Sequence, residues 1–133
     1  MEARMGIKRI SSGPGLPAGL PFSLGCDTNG ACFISGMPAL DPDGNLVPGT
    51  FAEQADLALR NVIAIAEASG YASDEIVYVQ CVLADIADYS TLNDWWRRRF
   101  PDRSSAPARF TFAASALPFG AKIEIQAVAA HGD

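Results

Sequence analysis

Between Ile76 and Leu83 the side chains are apolar or aromatic with one interruption, Gln80. This run, rich in Val, Ile and Tyr, predicts a strand over residues 76–84, and its near-continuous apolar character predicts burial on both faces. Earlier in the chain, residues 20–26 and 31–37 read as two strands joined by Asp27-Thr28-Asn29-Gly30, whose Asn-Gly pair supplies the positive φ angles of a tight hairpin. After the turn residues Asp41-Pro42-Asp43-Gly44, the stretch Thr50-Phe51-Ala52-Glu53 has the spacing of a capping box. Ala55, Leu59, Val62, Ile63 and Ala66 then recur with the helical period until Gly70 stops it. A second helix is predicted over residues 88–99, with Tyr89, Leu92 and Trp96 on one face. The adjacent Trp95 and Trp96 cannot share that face, so one of them must pack elsewhere. Strands over residues 110–115 and 122–130 complete the pattern.

The order β-β-α-β-α-β-β predicts an α+β domain with one mostly antiparallel or mixed sheet of about six strands and two helices. Side by side, two helices cover about 20 Å, enough for one face of such a sheet. The other face is left uncovered, in conflict with a strand 76–84 that is apolar on both sides. Self-association resolves that conflict.

At 133 residues a single core is expected, with residues 1–20 as an N-terminal segment and 21–130 as its body. The chain is 49% hydrophobic, yet Gly, Pro and charges break every apolar run well before the about 18 residues a membrane helix needs. Scattered Gly and Pro in place of an apolar signal core over residues 1–21 point to a cytoplasmic protein with no membrane partner. A net charge of −5 argues against a broad nucleic-acid surface, and the local cluster of Arg97, Arg98, Arg99 and Arg103 reads as a solvated helix face. The odd set Cys26, Cys32 and Cys81 contains no C-x-x-C pair and reads as buried thiols. One histidine, His131, cannot assemble a zinc cluster or a Ser-His or Cys-His nucleophile. Without a glycine-rich phosphate loop either, no metal and no cofactor is expected.

Two charges stand out inside strand-like sequence. Arg109 follows Pro107-Ala108 at the head of one apolar stretch, and Glu124 sits between Ile123 and Ile125. Arg and Glu are seldom buried without partners, so the pair is either a structural salt bridge or part of a ligand site.

The spacing from Pro107-Ala108-Arg109-Phe110-Thr111-Phe112 to Ile123-Glu124-Ile125 resembles the C-terminal signature of the RidA (YjgF) family. The likeness extends to Phe33-Ile34-Ser35-Gly36, to the helix from Gln54 to Gly70 and to Asn93 in the second helix, and covers about Pro21 to Ala129. It implies a chorismate-mutase-like fold and a homotrimer whose sheets face inward, with three equivalent clefts between subunits. It also implies a small 2-imino or 2-keto carboxylic acid as ligand. Arg109 would clamp its carboxylate with a bidentate guanidinium that lysine cannot imitate. Glu124 would orient water at the C=N carbon and move protons, making Arg109 and Glu124 the catalytic pair. Ser35 and Asn93 match binding positions near the cleft. Phe22 stands where many deaminating members carry Tyr, and Thr111 where a well-studied subgroup often carries Cys, so both line the expected site with altered chemistry. The implied activity is hydrolytic, cofactor-free deamination of 2-aminoacrylate-type enamines and imines. A trimeric metabolite-binding protein without turnover is the alternative. The acidic balance and single histidine weigh against the ribonuclease activity attributed to some relatives.

Overall fold

The computed structural model describes residues 6–132. The first residues of the predicted N-terminal segment therefore lie outside the described residues. Six strands form one sheet: β1 (Lys8–Ile10), β2 (Gly25–Thr28), β3 (Ala31–Met37), β4 (Ile76–Leu83), β5 (Ala108–Ala113) and β6 (Ile123–Ala130), with helices α1 (Phe51–Ala68) and α2 (Tyr89–Arg99). Their spatial order is β1-β2-β3-β6-β4-β5. All neighbours are antiparallel except β4 and β5, which run parallel because α2 carries the chain across between them. The expected α+β fold, with one mixed sheet and two helices, is the fold observed.

The hairpin is tighter than the sequence pattern predicts. Asp27 and Thr28 belong to β2, and Thr28 pairs with Ala31, leaving a two-residue turn of Asn29 (φ 52°) and Gly30 (φ 79°). Two successive left-handed residues match the twist of the flanking strands. Residues 20–23, predicted as strand, precede β2 without joining the sheet, and Leu24 bonds through its backbone to Ile10 and Ser35 just outside the strand's bounds. Pro17 and Pro21 punctuate this approach and can donate no ladder hydrogen bond. The edge strand β1 has no counterpart in the pattern analysis: three residues pairing with β2 are too short to show a period.

Helix α1 begins at the predicted capping box. Thr50 N–H donates to Glu53 Oε1 at 2.8 Å, and Glu53 N–H donates to Thr50 Oγ1 at 3.2 Å. It ends in a Schellman motif: Gly70, at φ 92°, donates to the Glu67 carbonyl and Tyr71 to that of Ala66. Ala55, Ala58, Leu59, Val62, Ile65 and Ala66 face the sheet and meet Cys32, Ile34, Val79, Cys81, Leu83, Ile123, Ile125 and Ala127 in one buried cluster.

In α2 the predicted face is replaced by two neighbouring stripes. Leu92 and Trp95 enter the core, and Trp95 Nε1–H donates to Asp56 Oδ1 on α1 at 2.7 Å. Tyr89, Asn93 and Trp96, at i, i+4 and i+7, form the second stripe, with Tyr89 exposed and Trp96 half-buried.

The sheet face away from the helices is the uncovered one. Phe33 (54% exposed), Phe110 (54%) and Phe112 (37%) stand on it, and the rings of Phe110 and Phe112 lie 5.6 Å apart. In β4, Val79, Cys81 and Leu83 are buried under the helices while Tyr78, Gln80 and Val82 are half-covered. The second-side burial foreseen for this strand is thus incomplete within one chain.

Candidate functional site

Strand register separates the two candidate charges. Arg109 pairs with Val79 of β4, a residue buried on the helix side, whereas Glu124 pairs with Val82 and alternates with the buried Ile123 and Ile125. Side chains alternate along a strand, so Arg109 emerges on the helix side and Glu124 on the open side. They are also two strand spacings apart, roughly 10 Å, and displaced by about another 10 Å along the strands. The structural salt bridge considered from sequence is therefore not formed.

Around Arg109, α2 supplies the frame. Arg109 Nη2–H donates to Asn93 Oδ1 at 2.7 Å. Its guanidinium carbon lies 5.0 Å from the centroid of the Trp96 ring and 5.7 Å from that of Tyr89. Such aromatic contacts hold a cation without neutralising it, leaving its remaining donors for an anion. A cavity of about 590 Å³ opens beside it, lined by Asn93, Trp96, Arg97, Phe100, Arg103 and Arg109. Behind the guanidinium the Cys81 thiol is pushed up to about 12 by burial, opposed by the positive charge of Arg109. That thiol is a protonated core group.

Thr111 follows Arg109 by two residues and shares its side of β5, opposite Cys81. Its hydroxyl is buried and has no hydrogen-bond partner among the described residues. β5 is an edge strand, so among the described residues the backbone groups on its outer side have no strand partner.

Glu124 is positioned by an irregularity in β3. Ile34 pairs with Ala127 but Met37 pairs with Ile125, so one extra residue is accommodated between them. This bulge brings Gly36 against the carboxylate: a Cβ on Gly36 would lie 2.5 Å from Glu124 Oε2. Ser35 is anchored by the same turn of chain, its N–H donating to the Leu24 carbonyl and its hydroxyl to the Ser23 carbonyl at 2.7 Å. Phe22, Ser35, Gly36, Gln80, Val82, Phe112, Glu124 and Gln126 surround a cavity of about 440 Å³. Burial holds the Glu124 carboxyl above its ordinary pKa. A carboxyl tuned in that direction is better able to carry a proton near neutrality.

The six residues singled out from sequence thus form two groups. Arg109, Asn93 and Thr111 gather at the β5–α2 edge, and Glu124, Ser35 and Phe22 on the open sheet face. Sequence reasoning missed Trp96 and Tyr89 as the aromatic frame, and Gln80 and Gln126 as polar wall. The polar interruptions of otherwise apolar β4 and β6 were the available signal for the glutamines. The arginine cluster behaves as a solvated face: Arg97 pairs with Asp94 at 3.2 Å with both side chains largely exposed, a contact of little energetic weight. Among the described residues no helix is long and apolar enough to cross a membrane.

Known proteins resemble this chain in sequence and in fold. The profile of the family described as Endoribonuclease L-PSP matches residues 15–131. The 2-iminobutanoate/2-iminopropanoate deaminase of Bos taurus is 39% identical over 128 residues, covering 95% of this chain and 92% of that protein. The crystal structure of the YjgF gene product from E. coli superposes with a TM-score of 0.83 at 31% identity, over 94% of this chain and 100% of that one. E. coli TdcF, solved with bound serine, superposes with a TM-score of 0.82 at 29% identity, over 94% and 100% of the two chains. With the profile spanning nearly the whole chain and a relative of this identity covering 95% of it, the protein belongs to the RidA (YjgF) family.

Proposed function

We propose that this protein is a hydrolytic deaminase of 2-imino carboxylic acids and their 2-aminoacrylate-type enamine tautomers, releasing a 2-keto acid and ammonia. The observation that carries the reading is the pairing of an aromatic-framed, anion-ready Arg109 at the sheet edge with a desolvated Glu124 on the open face. The relative named as an imine deaminase supports the same chemistry.

In this reading Arg109 binds the substrate carboxylate through a fork of charge-assisted hydrogen bonds, each worth about 1.5–3 kcal/mol where water is excluded. Asn93 fixes the fork, and the outer backbone of β5 at Thr111 adds hydrogen bonds. Glu124 takes a proton from water as the oxygen attacks the iminium carbon and returns it to nitrogen. The C–N bond of the tetrahedral adduct then breaks and expels ammonia while Glu124 takes the hydroxyl proton, giving C=O; passing that proton to ammonia yields ammonium and restores the carboxylate, so atoms and charge balance. General acid–base assistance of this kind contributes about 10²- to 10⁴-fold. Ser35 and Phe22 line the water side of the site.

Because Arg109 and Glu124 of one chain point to opposite faces, the reading requires Arg109 of one subunit to meet Glu124 of a neighbour. A homotrimer closed around the exposed Phe33, Phe110 and Phe112 covers the open face and builds three such clefts. The three free thiols accord with residence in a reducing cytoplasm. Ammonia release from freshly generated imino acids, above the spontaneous rate, tests the proposal. No acceleration with any of them refutes it.

A further inference from the structure

The chamber around Glu124 has a second compartment of different character. Leu20, Pro21, Phe22, Gly36, Pro38, Leu40, Pro118 and Phe119 enclose about 220 Å³ with Glu124 as the one charged residue in the wall. Phe22, Gly36 and Glu124 also belong to the larger polar chamber, so the two compartments meet at the carboxylate. The small compartment has half the volume of the polar chamber and an almost wholly apolar wall, so its character suits an apolar side chain.

Phe119 makes this compartment unusual. It occupies left-handed backbone, φ 64° and ψ 9°, next to Gly120 at φ 71°. A bulky aromatic residue is a rare occupant of that conformation, where Gly or Asn is at ease. Its ring is 56% exposed and so adds little to the core, while it forms part of the wall of the apolar compartment. A strained backbone position bearing a large ring at a candidate site points to a role in ligand selection.

We infer that the apolar compartment closed by Phe119 receives the side chain of the imino acid, and that the protein selects substrates with a branched or longer apolar side chain over those with a methyl group. This inference rests on the assignment of Glu124 to the reacting centre. A carboxylate held by Arg109 and a reacting carbon beside Glu124 leave the side chain as the remaining substituent, and the apolar compartment adjoins that carbon. The polar chamber, with Ser35, Gln80 and Gln126, is left for water and ammonia.

The test compares imino acids generated by an amino-acid oxidase from leucine and from alanine, together with calorimetric binding of the two corresponding 2-keto acids. Specificity for the leucine-derived compound should exceed that for the alanine-derived one by at least about 10-fold, the selectivity a single added methylene can give in an apolar pocket. Phe119→Asn, which retains a residue tolerant of left-handed backbone, should compress that ratio to within about 3-fold, and Leu20→Ala should shift it the same way. A wild-type preference for the alanine-derived compound, or a ratio unmoved in Phe119→Asn, overturns the inference. So does loss of the oligomer in Phe119→Asn, which would make the ring an interface residue. A protein inactive on every imino acid yet binding the leucine-derived keto acid selectively would overturn the deaminase reading and leave the side-chain compartment standing.

Discussion

Asn93 holds Arg109 by a 2.7 Å hydrogen bond from Nη2 to Oδ1, and with the Trp96 and Tyr89 rings it ties the edge strand β5 to helix α2. Arg109→Ala should therefore lower kcat/KM for imino acids by at least about 100-fold while leaving the fold intact, since the side chain is half-buried and fills no core volume. Arg109→Lys should recover only part of that loss, because an ammonium is a point charge without the planar fork. Asn93→Ala should raise KM by about 10-fold with a smaller effect on kcat, the signature of a loosened clamp. Steady-state kinetics on all three variants checks the assignment; wild-type turnover in Arg109→Ala would end it.

Glu124→Gln separates chemistry from binding. Turnover should fall by about 10²- to 10⁴-fold, the range of general acid–base catalysis, while 2-keto acid binding survives. Stability should move the other way. Burial raises the pKa of Glu124, so the folded state holds this proton more tightly than the unfolded chain. The stability linked to it is full below the unfolded glutamate value of about 4.3 and is lost as pH rises through the folded value. Glutamine escapes that loss. The variant should melt higher than wild type at neutral pH, with the difference vanishing on acidification, as thermal unfolding at several pH values would reveal.

Subunit mixing offers a sharper test of assembly than mass alone. Native mass spectrometry should find a trimer, and neither Arg109→Ala nor Glu124→Gln alone should exceed about 1% of wild-type activity. Unfolded together and refolded at equal amounts, the two should regain about one quarter of the wild-type sites, as random mixing in a closed ring dictates when each site draws Arg109 from one chain and Glu124 from the next. An active monomer, or no recovery in confirmed mixed trimers, contradicts the shared cleft.

Away from the site, the buried Tyr71 hydroxyl donates to Asp27 Oδ1 at 2.6 Å, linking the end of α1 to β2. Tyr71→Phe should cost about 2 kcal/mol in urea unfolding at neutral pH, as for a lost hydrogen bond to a charged partner. Burial, and after it the bond to Asp27, raises the Tyr71 pKa to about 12. The contribution is therefore full below the ordinary tyrosine value of about 10 and fades as pH climbs toward the folded value, so the two proteins should converge in strong base.

Local patterns that carry their own geometry are readable in the sequence alone. Asn29-Gly30 announced a hairpin because two left-handed residues have few other uses, and Thr50 with Glu53 announced the start of α1 because the two satisfy each other's backbone donors. The stripes of α2 were not readable. Leu92 and Trp95 lie one step around the helix from Tyr89, Asn93 and Trp96, and helical period alone cannot say which stripe meets the core and which meets Arg109. β1 escaped because its three residues acquire meaning only from β2. Arg109 and Glu124 were legible as misplaced charges, yet their separation onto two faces was not. That depends on the register of β5 and β6 against β4, which sets Arg109 opposite Val79 and Glu124 opposite Val82, a long-range choice that leaves no trace in spacing.

Gly36 shows how the bulge in β3 constrains what this chain can become. Its backbone lies outside the left-handed region, so conformation would tolerate any residue there; what a side chain would meet is the end of Glu124, which would have to move. Even alanine would place its methyl carbon on the Glu124 carboxylate, forcing that group to swing or the strand to part. The acid's position is in this sense inherited from an empty volume on a neighbouring strand. Under the role proposed for Glu124, a substitution at position 36 should lower turnover while leaving every charged residue in place, and a survey of the polar residues alone would overlook the cause.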